Sequence, residues 1–143
     1  MLENRSFIYD GNLVATAATT KTASYSGVSY IDTGGGFTAG KCVVNVTAAT
    51  NSSTDQLYRM IVQGSPDATF GTAGNVVDLA EQRCGVGEVL AAATASKDQG
   101  AAVYEFPFTN QFGDTVYRYL RFRMVISGGG VKSITYTSVI SCN

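Results

Sequence analysis

Histidine and tryptophan are both missing from this 143-residue chain, and proline occurs only twice. Without histidine there is no Ser-His-Asp or Cys-His nucleophile system, and zinc loses its commonest ligand. Without tryptophan, any sugar-stacking platform has only tyrosine and phenylalanine to draw on. Charge is sparse as well: charged residues make up 15%, and 10 basic side chains stand against 11 acidic ones for a net charge of −1. No global field draws such a chain to nucleic acid or to an anionic membrane, so neither is expected as a partner. Apolar runs long enough to span a bilayer are lacking too.

The cysteines, Cys42, Cys84 and Cys142, are odd in number and share no short metal-type spacing. The opening "MLENRSFIYDGN" carries Glu3 and no apolar core of a secretory leader. Reduced thiols in a cytosolic setting are therefore expected, with no metal and no cofactor. Asn4, Asn45 and Asn51 each open an N-x-S/T triplet, which in a Ser/Thr-rich chain without a leader reads as chance.

What is present is apolar and strand-like. Hydrophobic residues reach 45%, and a chain of this length buries roughly two-thirds of its unfolded surface. One domain over residues 1–143 is expected, with residues 1–12 as a candidate arm. Helix formers are confined to "VVDLAEQRCGVGEVLAAATASKDQG", which Gly85 and Gly87 interrupt, so at most a short helical turn near Val77 to Arg83 is expected. Elsewhere Val, Ile, Thr, Tyr and Phe alternate between Gly, Asn, Ser and Asp clusters. These patterns predict strands near 12–18, 27–31, 41–48, 57–63, 76–80, 101–109, 116–126 and 131–140. The fold class is all-β: a jelly roll or two-sheet antiparallel β-sandwich of about eight strands.

The stretch "YRYLRFRMVISGGGVKSITYTSVI" shows the pattern most clearly. Side chains alternate across a strand, so Leu120, Phe122, Met124 and Ile126 share a core face while Tyr119, Arg121 and Arg123 share the other. Gly128, Gly129 and Gly130 supply a tight reversal, after which Val131 to Ile140 is expected to return antiparallel beside its partner. Arginines on a strand face are commonly a solvated surface that discourages edge pairing. They are also what a docking face uses, because guanidinium pairs bidentately with carboxylate and stacks on tyrosine. Tyr117, Tyr119, Arg121 and Arg123 are accordingly the candidate protein-interface residues; no catalytic, cofactor or metal residues are assigned.

Other signals are weaker. Asp32-Thr33-Gly34 after an apolar strand looks like one half of an aspartic protease, which needs two such aspartates and hence a homodimer. The alternative is a strand running into a glycine turn whose aspartate bonds turn backbone. "CGVGEV" lacks the third glycine and the setting of a dinucleotide loop. Asp78, Glu81 and Glu88 suggest a cation site or glycosidase pair only if something fixes their separation, and solvated surface is the plainer account.

Three stretches together, "NLVATAATTKTASYSGVSYIDTGGG", "LYRMIVQGSPDATFG" and the Arg-Tyr-Leu-Arg strand with its glycine hairpin, resemble the capsid cement, or decoration, proteins of tailed bacteriophages, in the family named for the cement protein of a Bordetella podovirus. Gln63, Ser65, Asp67 and Phe70 fill that family's central segment, and Arg118, Tyr119, Leu120 and Arg121 its last. The cysteines and the stretch from Asp78 to Gly100 depart from its pattern. The resemblance implies a jelly-roll virion protein made in the host bacterial cytoplasm and placed on the outer capsid surface. Its implied partners are the phage major capsid protein and itself, as homodimer or homotrimer, and its implied work is to bridge capsomers against internal DNA pressure. A carbohydrate- or receptor-binding jelly roll of a phage tail or fibre is the second reading.

Overall fold

The computed structural model describes residues 14–27, 29–50, 55–85 and 101–142. The candidate arm at 1–12 lies outside the described residues. Two antiparallel sheets pack face to face as a β-sandwich. The first holds β1 (Val14–Lys21), β4 (Ala39–Ala49), β7 (Ala102–Thr109) and β11 (Ile134–Cys142) in the order β1-β11-β4-β7. The second holds β5 (Leu57–Ser65), β6 (Val77–Cys84) and β10 (Tyr119–Ser127), with β10 between β5 on one side and the short β2 (Tyr25–Ser26) and β3 (Ile31–Asp32) on the other. A small ribbon, β8 (Gln111–Phe112) with β9 (Thr115–Val116), precedes β10.

Period-two alternation builds the core. Leu120, Phe122 and Met124 of β10 are fully buried, beside Tyr58, Met60 and Val62 of β5 in the same sheet, and share the core with Cys42, Val44 and Val46 of β4 in the other. Ile134, Tyr136 and Ile140 come from β11, and Phe106 and Phe108 from β7. The class and most of the eight expected strands stand as predicted, with boundaries moved by a few residues. The stretch expected as one strand at 27–31 is instead β2 and β3, both laid along β10.

Two expectations need correction. Residues 77–84 form no helical turn but strand β6, paired along β5 from Gly64↔Val77 to Tyr58↔Cys84. Leu, Ala, Glu, Gln and Arg favour a helix in isolation, and an available sheet edge overrides that weak preference. Nor does the strand after the three glycines return beside β10. It crosses to the other sheet and pairs with β1 and β4. Gly128 has φ 101°, and a Cβ there would meet the Asp55 and Gln56 backbone. The buried Gln56 amide donates to Gly129 O at 3.0 Å and to Val131 O at 2.6 Å, tying the crossover to the start of β5.

Asn110 does the equivalent at the other end of β10. Fully buried, it donates from Nδ2 to Gly36 O (2.8 Å) and Tyr117 O (3.0 Å), and its Oδ1 accepts from Thr38 N–H (2.8 Å). One amide thus joins the β3–β4 loop to the β8–β9 ribbon.

Candidate docking site

The outward side of the β5-β6-β10 sheet carries most of the chain's arginines. In register across it lie Arg121↔Gln63↔Asp78, Arg123↔Ile61↔Glu81 and Val125↔Arg59↔Arg83. Asp78 and Glu81 are three residues apart and in a regular strand would point to opposite sides. A bulge between Val62 and Gln63 in the pairing sets an extra β6 residue, Leu79, against β5 and returns both acids to the outer face.

Both acids are then engaged, Glu81 by cations and Asp78 by an amide. Glu81 accepts from Arg59 Nε (2.6 Å) and Nη2 (3.0 Å) and from Arg83 Nε (2.6 Å). The Arg59 guanidinium beside it, helped by Arg83 and opposed by burial, pulls its carboxyl down to about 2. Asp78 accepts from Gln63 Nε2 at 2.8 Å, and Gln63 Oε1 in turn accepts from Arg121 Nε at 3.0 Å. Glu88, the third acid of that sequence cluster, lies outside the described residues.

The loop after β5 completes the site. Ser65 Oγ accepts from Asp67 N–H at 3.1 Å; the Asp67 carboxylate accepts from Thr69 N–H at 3.0 Å and Thr69 Oγ1 at 2.7 Å. The Thr69 donors, hydroxyl first, hold the Asp67 carboxyl below its ordinary range. This turn delivers Phe70 with φ 51°, the left-handed region that bulky side chains avoid. The ring lies under Arg121, whose guanidinium carbon is 4.4 Å from the ring centroid. Gln63, Ser65, Asp67 and Phe70 therefore converge with Arg121, although the two segments are over fifty residues apart in sequence.

Of the candidate interface residues, Arg121 and Arg123 share the outer face, half-buried. Tyr119 joins them, packed edge-on against Tyr30 at 5.4 Å and 5.3 Å from the Arg118 guanidinium carbon. Tyr117 does not. It precedes β10, and its side chain lies over Gly64, where an added Cβ would sit 2.8 Å from Leu79 and 2.9 Å from Tyr117. Gly64 pairs with core-facing Leu120, so this is the inner side of the sheet.

Asp32 belongs to a turn. Its carboxylate accepts from Gly34 N–H at 2.8 Å and takes Arg118 bidentately at 2.8 and 2.9 Å. The Arg118 hydrogen bonds, then the Gly34 amide, lower its pKa. What the geometry makes of Asp32 is a clamp between the glycine turn and the start of β10. The cysteines form no disulfide among themselves: Cys42 and Cys84 are buried, and Cys142 is partly so.

Between the β2–β3 connection and the Phe70 loop lies a depression of about 330 Å³ lined by Ser26, Gly27, Tyr30, Ala68, Thr69, Phe70 and Arg121. Sequence reasoning missed it, along with Phe70 and Tyr30 as its walls. The one signal available was Gln63, a polar residue on the arginine side of its strand. No family model matches the chain, and no curated protein matches it.

Proposed function

We propose that this chain is a capsid cement protein of a tailed bacteriophage: a jelly roll that binds the outside of the shell, bridges neighbouring capsomers and works by buried interface rather than by chemistry. The observation that carries the reading is the convergence of the Gln63–Phe70 segment with Arg118–Arg121 on one exterior. Those are the segments on which the likeness to cement proteins rests. Leu120 serves the core, while Arg121 is turned outward and is held by Gln63 and Phe70 before any partner arrives.

Strand order supports the jelly roll. With β2 and β3 taken as one interrupted strand and the small ribbon set aside, the first strand pairs with the last (β1–β11), the second with the next-to-last (β2/β3–β10), the third with β7 and the middle two with each other. That is a long antiparallel hairpin wrapped over itself. Weak single contacts suffice on a shell, because an oligomer engages several sites at once and gains by effective concentration.

The test is light-scattering mass of the purified chain, then sedimentation with capsids stripped of accessory protein. A dimer or trimer that pellets at a fixed ratio to capsid subunits and raises the rupture temperature is expected. Replacing Arg121 and Arg123 together by Glu leaves the fold intact and abolishes pelleting. A monomer that ignores shells, with binding on a glycan array, would turn the reading to a tail or fibre module.

A further inference from the structure

The guanidiniums of this molecule divide sharply by partner. Arg59 and Arg83 share Glu81, and Arg118 holds Asp32. Among the described residues, no carboxylate lies within ion-pair reach of Arg121 or Arg123. Arg121 is also fixed: Gln63 takes its Nε–H, Asp78 holds Gln63, and Phe70 lies against its face. Five N–H donors less one leave the terminal fork open, at the depression that Arg121 lines.

We propose that this depression receives a single carboxylate side chain, aspartate or glutamate, projecting from the docking partner. The proposal rests on the docking reading above and names the chemistry of its contact. Charge complementarity supplies the first argument: two adjacent cations on β10 lack an anion, while every other described arginine has one. Geometry supplies the second, since the free fork matches a carboxylate bidentately and its plane is already set, so little freedom is lost on binding.

Size supplies the third. At about 330 Å³ the depression is at the small end of ligand pockets and admits a carboxylate side chain with space to spare. Tyr30 and Phe70 bring aromatic surface to its lining, and Ser26 and Thr69 join them there. The acid nearest in sequence, Asp67, does not line it and is bonded to Thr69. The left-handed Phe70 is the fourth argument. A strained backbone held by its own turn persists where its side chain has a job, and here it seats the guanidinium. Burial and the neighbouring Arg123 both lower the Arg121 pKa, a destabilised cation that an arriving anion relieves.

The experiment uses the full chain, 15N-labelled, titrated with the blocked tripeptide acetyl-Gly-Glu-Gly-amide, its Gln counterpart, glucuronate and inorganic phosphate. The Glu peptide is expected to shift the Arg121 Nε–H and the amides of Gly27, Thr69 and Phe70 saturably, and the Gln peptide not to. Arg121→Gln and Arg121→Lys are each expected to weaken the response about tenfold or more, the lysine because it keeps the charge and loses the fork. Equal response to both peptides, no response to either, or tighter binding of glucuronate or phosphate would overturn the proposal.

The two readings fail separately. Peptide binding by a chain that ignores shells sinks the cement function and leaves the pocket standing. Shell binding unchanged by Arg121→Gln sinks the pocket and leaves the cement function.

Discussion

The two outer faces of this sandwich obey the same two-residue period and carry different chemistry. Outside the β1-β11-β4-β7 sheet the side chains are short and mostly neutral: Thr135 and Thr137 on β11, Asn45 and Thr47 on β4, a loose Lys41–Glu105 pair at 3.6 Å, and the buried pair Val43 and Val139. Outside the other sheet, Arg59 and Arg83 share Glu81, Arg121, Gln63 and Asp78 form a second chain, and Arg123 stands beside Ile61, which is 1% exposed although it points away from the core. Its neighbours on that face are long-chained, and such chains cover apolar surface with their stems while their heads stay wet. Each exterior thus hides a little apolar surface, and what differs is the cover, which on the arginine face is a set of long, hydrogen-bonded side chains. Surfaces that are already ordered lose little freedom when they dock.

The largest break in this comparison comes from Ile61. Ile61→Ala is expected to cost about 2 kcal/mol, near the low end for a buried isoleucine because only one layer of side chains covers it. Thr137→Ala on the opposite exterior should stay within about 0.5 kcal/mol. Urea unfolding of both variants measures the gap, and equal small losses would mean the arginine face is no better ordered than the threonine one.

Glu81 gives a smaller effect with a pH signature. Its carboxyl is drawn from 4.5 to about 2 by Arg59 first and Arg83 second, against burial. A depressed folded pKa means stability that is whole above the unfolded value and is lost as pH falls through the folded one. Glu81→Gln should therefore cost about 1 kcal/mol near pH 6, and the difference from the parent should shrink between about pH 4.5 and pH 2. Asp32 and Asp67 are also lowered, so both proteins weaken in acid; the informative quantity is their difference. A difference constant with pH would show that the two arginines do not hold Glu81.

How far the sequence carried this comparison follows from what periodicity encodes. Alternation in "YLRFRMVI" separates Leu120, Phe122, Met124 and Ile126 from Tyr119, Arg121 and Arg123, and the structure places those sets on opposite sides. Periodicity reports a side, not a neighbour. It therefore sent the last strand back to β10 instead of across to β4, and it did not reveal that Phe70 meets Arg121. Helix propensity misled at β6, because Leu79 to Arg83 prefer a helix until a sheet edge is offered. Tyr117 follows the parity of Tyr119 but falls before the strand begins, where parity no longer applies. The buried amides Gln56 and Asn110 sat in stretches legible only as turns, since their partners are carbonyls and amides far along the chain.

The smallest expected effect sharpens the contrast most cheaply. Lys41 and Glu105 meet diagonally across β4 and β7 with their side chains 41% and 54% exposed. A long contact between exposed ends gains little over water and loses rotamer freedom in forming. Lys41→Ala and Glu105→Ala, alone or together, should thus change stability by no more than about 0.5 kcal/mol, with coupling in a double-mutant cycle near zero. The same variants should leave shell binding intact, because they remove charge from the face to which no docking role is given. Loss of pelleting in Lys41→Ala with Arg121→Glu silent would invert the assignment and put the contact on the threonine face; loss in Arg121→Glu alone would locate it where the fixed guanidinium stands.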